Sequence, residues 1–435
     1  MKITKLSLAL ASLTFCFSAL AGDWPQWRGP HFDGSSDETG LPSTWTKETA
    51  VWVTEMPGPS ATTPAIMGDR VYLPAADFSN KTLLAMCLDR KTGKVLWSRP
   101  VGEGAISRGD NSNFSSPSAV ATKDRAYFFY GNGLLAAFDL QGKQVWLRDI
   151  QKDYGEFAYQ WTFSASPLLH GSKLYIQVLQ RNEPVHGHGK PNGDSYLLAL
   201  NPATGETLWR QVRPSDAVQE SKEAYSTPMP FEFQGHTEIL ISGGDCLTGH
   251  DPVTGREIWR WGTYNPMKIG HWRLVPSPVA GGGVVLGCAP KGDPIYAIKL
   301  GGKGTLTDSD IAWKTERRIA SSDVPTPLFY QGDFFVLSEA KKTMSRIEPA
   351  SGNVKWTASI PGRAKFEASP TAGDGKIYLM NFAGEVVIMD AAKGEILGTV
   401  SMGEPGDDMI RSSISIASRQ LFIRTNHKLF CIGSK

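Results

Sequence analysis

The sequence predicts an all-β fold, an eight-bladed β-propeller built from four-stranded blades. Two short phrases recur along the chain and alternate with each other at intervals of 43 to 61 residues. A period near 50 residues with several short strands in each repeat is typical of a propeller. Amphipathic helical periodicity is nearly absent, as expected for a chain made of strands and turns.

The first phrase is an acidic or amide residue, a turn that contains Gly, and a Trp four residues after that Gly. Residues 89–97 read Asp-Arg-Lys-Thr-Gly-Lys-Val-Leu-Trp. One copy carries an insertion at 301–310, and the last copy has Gly398 in the Trp position. An indole is large enough to pack one blade against the next. We therefore predict a structural docking role for the tryptophans of this phrase: Trp52, Trp97, Trp146, Trp209, Trp259, Trp313 and Trp356.

The second phrase is a small residue, then Pro, then a short β-like stretch that starts the first strand of each blade. The second strand is of the Val-Tyr-Leu type, the third is of the Leu-Leu-Ala-Leu type, and the fourth ends at the Trp. Ile414 takes the place of Pro in the eighth copy. The seven prolines that mark the other copies are Pro64, Pro117, Pro167, Pro228, Pro278, Pro327 and Pro370.

The eighth repeat has only three predicted strands, at about residues 411–432. The isolated strand at 51–53 supplies the fourth, so the two chain ends share one blade and close the ring. We expect the propeller to span residues 51–433. Residues 22–50 hold Trp24, Trp27 and Trp45 and are expected to form an ordered wrap against its side or base.

Residues 1–21 are typical of a secretory signal peptide. Lys2 and Lys5 precede a mostly apolar stretch, and the small residues Ala19 and Ala21 form a cleavage motif. We expect cleavage after Ala21 and a periplasmic or secreted mature protein. No later segment approaches the ~20 apolar residues that a transmembrane helix needs.

The charge of the chain is balanced. It carries 45 basic and 43 acidic residues, and Lys2 and Lys5 account for the formal charge of +2. A broad basic surface that would bind nucleic acid is therefore not expected. We expect a monomer whose partner is a protein or a glycan.

The phrase Asp-x-x-Thr-Gly-x-x-x-Trp resembles the PQQ-like repeat, over essentially all of residues 51–433. Residues 24–30, Trp-Pro-Gln-Trp-Arg-Gly-Pro, are further similar to secreted PQQ-binding-like propeller proteins of planctomycete-type bacteria. The resemblance implies the eight-bladed propeller of quinoprotein alcohol dehydrogenases and of BamB-type scaffolds for outer-membrane protein assembly. The repeat describes blade geometry and does not imply that PQQ is bound.

Four connections between blades are longer than the others, and in such a propeller they share one face, here called the long-loop face. They run 19 to 21 residues from Trp to Pro, against 12 to 16 elsewhere, and they enter blades two to five. Trp261 is assigned to these loops as well. Long loops on a rigid scaffold usually carry binding residues. The candidate ligand-binding residues are Asn113, Tyr159, Gln160, Trp161, Glu223, Tyr225, His271, Trp272, Arg273, Asp323, Lys365, Glu367 and Arg411.

Aromatic rings beside Arg, Asn and Gln suit a planar ligand or a sugar, through stacking and directed hydrogen bonds. The same residue types suit a protein hot spot. A third interpretation is that the long loops simply bury their own aromatic side chains.

Two function classes follow from these residues, and catalysis stays open. The first is a binding platform for a protein or glycan, which fits the balanced charge and the lack of a recognisable catalytic motif. The second is a PQQ- and Ca²⁺-dependent quinoprotein dehydrogenase acting on alcohols or sugars. Asn113, Glu223 and Asp323 would supply oxygen ligands, and Asp323 is the candidate general base. The adjacent Cys-Cys pair and the larger insertions of those dehydrogenases are missing here.

Metal-ligand patterns are weak. His186 and His188 lie in a Gly- and Pro-rich loop, but a metal site needs three or four converging ligands. The four cysteines after residue 21 lack CxxC spacing, and we expect them to be small buried core residues: Cys87, Cys246, Cys288 and Cys431.

Overall fold

The computed structural model describes residues 22–104 and 113–434, so the expected signal peptide at 1–21 lies outside the described residues. The chain forms eight mainly antiparallel sheets. Hydrogen bonds at their inner ends join neighbouring blades, from blade 1 to blade 8 and back to blade 1. The predicted eight-bladed β-propeller is confirmed. Strands are numbered along the chain, and β1 (Trp52–Glu55) belongs to the last blade.

The first four blades each run from the central channel outwards. Blade 4 has a fifth strand, β21, at its outer edge. Their strands are β2 (Ala65–Met67), β3 (Arg70–Asp77), β4 (Thr82–Asp89) and β5 (Val95–Glu103) in blade 1; β6 (Val120–Ala121), β7 (Arg125–Phe129), β8 (Leu134–Asp139) and β9 (Gln144–Asp149) in blade 2; β10 (Leu168–His170), β11 (Lys173–Val178), β12 (Tyr196–Leu200) and β13 (Thr207–Val212) in blade 3; and β14 (Met229–Phe233), β15 (His236–Gly243), β16 (Cys246–His250), β17 (Glu257–Trp261) and β21 (Gly304–Thr305) in blade 4.

The other four blades follow the same order. Helical structure in the described residues is limited to α1 (Ile150–Tyr154) and to short 3₁₀ turns at Lys47–Thr49, Gln219–Lys222 and Asp308–Asp310. The strands are β18 (Val279–Gly281), β19 (Val284–Cys288), β20 (Ile295–Lys299) and β22 (Ile311–Lys314) in blade 5; β23 (Leu328–Tyr330), β24 (Asp333–Ser338), β25 (Thr343–Ile347) and β26 (Val354–Ser359) in blade 6; β27 (Thr371–Gly373), β28 (Lys376–Met380), β29 (Glu385–Asp390) and β30 (Ile396–Ser401) in blade 7; and β31 (Ser415–Ala417), β32 (Gln420–Arg424), β33 (Lys428–Gly433) and β1 in blade 8.

The two chain ends close the ring in blade 8, as predicted. Strand β1 pairs antiparallel with β33, which places Trp52 opposite Cys431 and Glu55 opposite Lys428. The pairing removes two open strand edges, which would otherwise offer unpaired backbone groups to other chains.

A ring of hydroxyl groups joins the innermost strands. The Thr63 N–H donates to Ser118 Oγ over 3.0 Å, and each later blade repeats this bond to its successor over 2.9 to 3.2 Å. The junction between blades 8 and 1 instead uses Ser412 Oγ, which donates to the Thr62 carbonyl over 2.6 Å. The ring residues are Thr63, Ser118, Ser166, Thr227, Ser277, Thr326, Ser369 and Ser413.

The ring corrects the position assigned to Pro117. Val120 faces Tyr127 in blade 2 as Leu168 faces Tyr175 in blade 3. The residue before Val120, Ala119, therefore occupies the Pro position, and Pro117 lies two residues too early. The connection from Trp97 into blade 2 is therefore two residues longer than the distance from Trp97 to Pro117 in the sequence.

Tryptophans of the fourth strands lie on glycines of the following blade. A Cβ on Gly142, where φ is +76°, would come within 2.6 Å of the Trp97 ring. The Trp97 indole also donates to the Leu140 carbonyl over 3.1 Å. Only Gly leaves room for this contact, so turn and indole are matched. The six such pairs are Trp52 on Gly93, Trp97 on Gly142, Trp146 on Gly205, Trp209 on Gly255, Trp313 on Gly352 and Trp356 on Gly394.

Trp259 differs from the other six tryptophans. The insertion at 301–310 replaces the turn on which it would lie, and places β21 in parallel pairing with β17, with Gly304 next to Trp259. The Trp259 indole is buried and donates to Glu238 Oε2 of its own blade over 2.6 Å. The indole therefore lies over Gly249 of its own sheet, within a buried cluster that also contains Val285 and Ile298 of blade 5.

The segment from Gly22 to Glu38 crosses the channel on the face opposite the long loops; we call it the N-terminal plug. Trp24 exchanges backbone hydrogen bonds with Ile66 of blade 1, and the Gln26 side chain bonds both backbone groups of Leu169 in blade 3. The buried Arg28 donates to the carbonyls of Pro327 and Pro370, at 2.9 and 2.6 Å. The segment thus lies across the base of the propeller.

Residues 39–50 leave the base and pass along blade 7. The Tyr378 hydroxyl donates to the Pro42 carbonyl over 2.9 Å, and the Trp45 indole donates to Met402 Sδ over 3.2 Å. Gly398 occupies the position that Trp has in the other copies of the repeat. It lies against this segment, and a Cβ there would be 2.9 Å from the Ser43 carbonyl oxygen. None of the helices in the described residues has the length and apolar character that crossing a bilayer requires.

Candidate functional site

The channel opens on the long-loop face and has Trp27 of the N-terminal plug as its floor. Its deepest part encloses about 120 Å³ among the ring hydroxyls, and its wider mouth encloses about 310 Å³. We call the mouth the central cup. It is lined by Ala61, Ser116, Trp161, Thr162, Ser164, Tyr225, Arg273, Val275, Val324, Glu367 and Arg411.

Trp161 forms one wall of the central cup, and 40% of it is exposed. Its indole donates to Glu220 Oε1 over 3.1 Å, and the same oxygen lies 3.3 Å from Arg273 Nε. Its backbone N–H donates to the Tyr225 hydroxyl over 3.1 Å. The loops into blades 3, 4 and 5 therefore meet at Trp161 and hold its ring in place at the mouth.

Beneath Trp161, Glu223 is fully buried and anchors these loops. Its carboxylate accepts hydrogen bonds from Arg181 Nε at 2.5 Å, from the Tyr225 hydroxyl at 2.6 Å and from the Gln160 N–H at 2.9 Å. Burial raises the pKa of Glu223, although the Tyr225, Gln160 and Arg181 contacts oppose the rise. Because these contacts occupy both oxygens, Glu223 supports the cup rather than facing it.

An ion pair forms the opposite wall. Arg411 Nε lies 2.7 Å from Glu367 Oε2, and Lys365 Nζ lies 2.5 Å from Glu367 Oε1. Burial acts to raise the pKa of Glu367, but the charges of Arg411 and Lys365 outweigh it and hold that pKa below its usual value. The wall therefore presents an ionised carboxylate and a guanidinium side by side.

A second cavity adjoins the central cup on the far side of Trp161. This side pocket encloses about 170 Å³, and Trp161 and Thr162 line both spaces. Trp161 thus stands as a partition between two cavities on one face. The side pocket is lined by Phe114, Gly131, Asn132, Gln151, Glu156, Phe157, Tyr159, Trp161, Thr162, Phe163 and His188.

The structure brings five of the thirteen sequence-predicted ligand-binding residues to the central cup: Trp161, Tyr225, Arg273, Glu367 and Arg411.

The remaining candidates lie elsewhere on or below the face. Asn113 is buried and caps its own loop, where its side chain bonds Ser115 and the Pro59 carbonyl. Tyr159 is buried beside the side pocket. Six further candidate residues also lie outside the lining of the cup. Gln160 and Glu223 lie below Trp161, His271 is exposed and Trp272 is half-buried. Asp323 lies next to Lys291, and Lys365 pairs with Glu367.

Trp261, expected on a long loop, is instead part of β17 and fully buried. Its ring stacks on Tyr264, with centroids 5.7 Å apart. The strand continues two residues past Trp259, so the loop begins later than the repeat suggests.

Sequence reasoning missed the hydroxyls, the buried base of the site and the floor. Ser116 and Ser164 line the cup, Arg181 holds Glu223, and Trp27 closes the base. A signal was present for the deeper ring hydroxyls, since the residue before the Pro, or before Ile414, is Ser or Thr in every copy. Ser164 lies three residues before Pro167 and carries no such signal.

The residues proposed as Ca²⁺ ligands do not fit a calcium site. The Asn113 amide oxygen accepts from the Ser115 N–H and hydroxyl, the Glu223 carboxylate is bound to Arg181, and Asp323 accepts from the Lys291 N–H over 3.2 Å. The three side chains have separate local partners and do not converge on one point, as calcium requires. Asp323 also does not line the cup, where a general base would meet substrate.

An anionic quinone such as PQQ would meet compensated charges in the cup, because Arg273 is paired with Glu220 and Arg411 with Glu367.

No group of three or more His, Cys, Asp or Glu that would hold a metal occurs in residues 22–104 and 113–434. His188 pairs with Glu156 over 2.6 Å, and both side chains are exposed. The four described cysteines are buried and free: Cys87, Cys246, Cys288 and Cys431.

Solved structures with the same fold include two dehydrogenases and a BamB. A europium-containing methanol dehydrogenase superposes with a TM-score of 0.70 at 10% identity, over 95% of this chain and 98% of that one. A quinohemoprotein alcohol dehydrogenase from Comamonas testosteroni superposes with a TM-score of 0.63 at 12% identity, over 94% of this chain and 80% of that one. BamB from Moraxella catarrhalis superposes with a TM-score of 0.60 at 13% identity, over 89% of this chain and 98% of that one. At these identities the likeness shows the fold alone.

No curated protein sequence matches the chain. The family model described as outer membrane protein assembly factor BamB matches residues 44–182 and 193–432. The match covers most of the propeller, from before β1 to the end of β33. The chain therefore belongs to the BamB-type family of PQQ-like β-propellers.

Proposed function

We propose that the protein is a non-catalytic binding platform that holds a glycan in the central cup of its long-loop face. The observation that carries the proposal is the half-exposed indole of Trp161, fixed at the mouth of the cup by Glu220 and Tyr225. A pyranose ring has an apolar C–H face and a rim of hydroxyl groups. A fixed aromatic ring matches the face, and polar groups nearby match the rim.

The cup supplies those polar groups. Glu367 and Arg411 place an acceptor and a donor side by side, and Ser116, Thr162 and Ser164 add hydroxyls. Because the pair is already charge-compensated, it favours a neutral, hydroxyl-rich ligand over a strongly anionic one.

The two adjoining cavities favour a chain of linked sugars over a monosaccharide. The side pocket lies across Trp161 from the cup, so one unit in each space would contact the two sides of the same residue. We accordingly propose a periplasmic or secreted location, where such polysaccharide chains are exposed.

A protein partner is the second candidate, and exposed apolar side chains favour it. Met267 is 81% exposed and Val218 is 38% exposed, and both belong to the loops that form the rim of this face. Family membership with BamB points in the same direction.

A glycan array followed by titration calorimetry tests the proposal. We expect binding of an oligosaccharide that Trp161→Ala weakens at least about tenfold. His271→Ala is the matched control, because His271 is exposed on a neighbouring loop and lies outside the cup. Glycan binding that survives Trp161→Ala would overturn the assignment of the cup.

Titration with PQQ and Ca²⁺ tests the enzymatic alternative. Stoichiometric PQQ binding together with dye reduction by alcohols or sugars would overturn the platform. If the protein binds no glycan but captures a protein partner, and Met267→Asp abolishes that capture, the ligand of the platform is a protein and not a glycan.

A further inference from the structure

Glu38 is a nearly buried carboxylate that holds the N-terminal plug to blade 8. It is 8% exposed. Its Oε1 accepts from the Ser418 N–H over 3.0 Å, and its Oε2 accepts from the Arg419 N–H over 2.9 Å. Both donors belong to the turn between β31 and β32, so this one side chain joins the plug to the blade that closes the ring.

The third donor to Glu38 is the backbone nitrogen of Gly22, which contacts Oε1. Gly22 itself is exposed, whereas its nitrogen points at the carboxylate. The fit is close, since a Cβ on Gly22 would lie 3.1 Å from Glu38 Oε1. Among the described residues, no Lys, Arg or His side chain lies within ion-pair distance of Glu38. A buried carboxylate held only by neutral donors lacks the counter-charge that such a group ordinarily has.

We propose that proteolytic processing between Ala21 and Gly22 supplies this counter-charge: the new α-ammonium group of Gly22 forms an ion pair with Glu38 and locks the plug. Hydrolysis of the peptide bond by a processing peptidase consumes one water. It leaves a carboxylate on Ala21 and an amine on Gly22, which binds a proton at neutral pH.

Two independent features place the cut at this bond. The residues before it, Ala19 and Ala21, have the small side chains that signal peptidases require. The residue after it carries the nitrogen that contacts Glu38. Cleavage one residue earlier or later would move the ammonium group by about 3.5 Å, away from the carboxylate. Processing thereby replaces a neutral amide donor with a cationic one, so that both partners of the hydrogen bond to Glu38 carry a charge.

The first test is the site of processing. The full chain, produced in a Gram-negative host with residues 1–21 attached, is purified and its first residue is determined by N-terminal sequencing. We expect Gly22. Any other first residue, or an uncleaved chain, overturns the proposal.

The second test is a four-protein cycle. Two purified forms, one beginning at Gly22 and one with two extra alanines before it, are each made with Glu38 and with the Glu38→Gln substitution. We expect the extension to lower the midpoint of thermal unfolding by about 1–2 °C when Glu38 is present and by much less in the Glu38→Gln background, because only the carboxylate can pair with the ammonium group. An equal loss in both backgrounds indicates steric disturbance alone and overturns the ion pair. Glu48→Gln, an exposed change in the same N-terminal region, is the matched control.

Discussion

The indole nitrogen of Trp161 lies 3.1 Å from Glu220 Oε1, and this bond fixes the ring that divides the central cup from the side pocket. The same oxygen also pairs with Arg273. One carboxylate thus sets the position of both a stacking surface and a guanidinium on the wall of the cup.

Glu220→Ala is expected to loosen this wall without unfolding the protein. An ion pair near the surface contributes about 0–1 kcal/mol to stability, so the unfolding midpoint stays nearly constant. Hydrogen–deuterium exchange should rise in residues 159–164 and 271–275. Glu183→Gln, an exposed change outside the cup, is the control. Unchanged exchange in both segments would show that Glu220 does not hold Trp161.

Glu223→Ala is expected to destabilise the long-loop face strongly. It leaves Arg181 partly buried without its carboxylate, and removing one partner of a buried pair costs about 3–5 kcal/mol. Urea unfolding monitored by circular dichroism measures the loss. Glu223→Gln keeps the shape and the acceptor oxygen and should cost less. Equal stability of the Ala variant and the wild type would contradict the anchoring role.

Two glycine variants separate backbone strain from blade docking. Gly235→Ala and Gly142→Ala place Ala at nearly equal φ, +78° and +76°, but only the second Cβ would collide with an indole, that of Trp97. Left-handed backbone costs about 1–2 kcal/mol for a non-glycine residue. We expect that cost for Gly235→Ala and a clearly larger one for Gly142→Ala, measured by urea unfolding. Equal losses would mean that the Trp97 contact tolerates the extra methyl group.

Trp97→Ala and Trp259→Ala should both destabilise the protein by about 3–5 kcal/mol, as expected for a large buried aromatic side chain. Their local effects should differ, because Trp97 contacts the next blade and Trp259 contacts Glu238 in its own. Hydrogen exchange should therefore increase in blade 2 for Trp97→Ala and in blade 4 for Trp259→Ala. Unchanged exchange in blade 4 for Trp259→Ala would contradict its packing over that sheet.

Glu339 gives the fold a pH dependence. Burial, reinforced by the charge of Asp323, raises the pKa of Glu339 to about 7, and its Oε1 accepts from the Asp323 N–H. The folded state therefore keeps a proton that the unfolded chain loses near its ordinary pKa of 4.5. Stability should fall as the pH rises from about 4.5 to 7, by on the order of 3 kcal/mol from this group. In urea unfolding measured over a series of pH values, Glu339→Gln should reduce the change of stability with pH, whereas Glu183→Gln should leave that change unaltered. A slope that Glu339→Gln does not change would contradict the assignment.

The fold could be predicted from sequence because each blade repeats the same local chemistry. The Gly of the turn and the Trp four residues later recur at fixed spacing, and that spacing is a property of the strand pair. The exceptions follow from context. Pro117 lies two residues from its expected place, and the surroundings of the Trp259 indole depend on an insertion in the next blade. A repeat unit alone does not contain either piece of information.

The site could be predicted only in part, because loop residues take their positions from other loops. Candidate residues at the ends of the connections, such as Arg273, Glu367 and Arg411, line the cup, because the strand that follows fixes their positions. Glu223 and Tyr225 are two residues apart, yet one is below the wall and the other is in it. Only the partner Arg181, from another blade, decides which one is buried.

Trp27 makes the channel a dead end in the part of the chain that the structure describes. A molecule that enters past Trp161 must leave by the same gap, and water in the deep 120 Å³ space must be displaced or trapped beneath it. Association and release rates should therefore respond together to any change at the rim. Substitutions at the base that leave Trp27 in place should leave both rates unaltered.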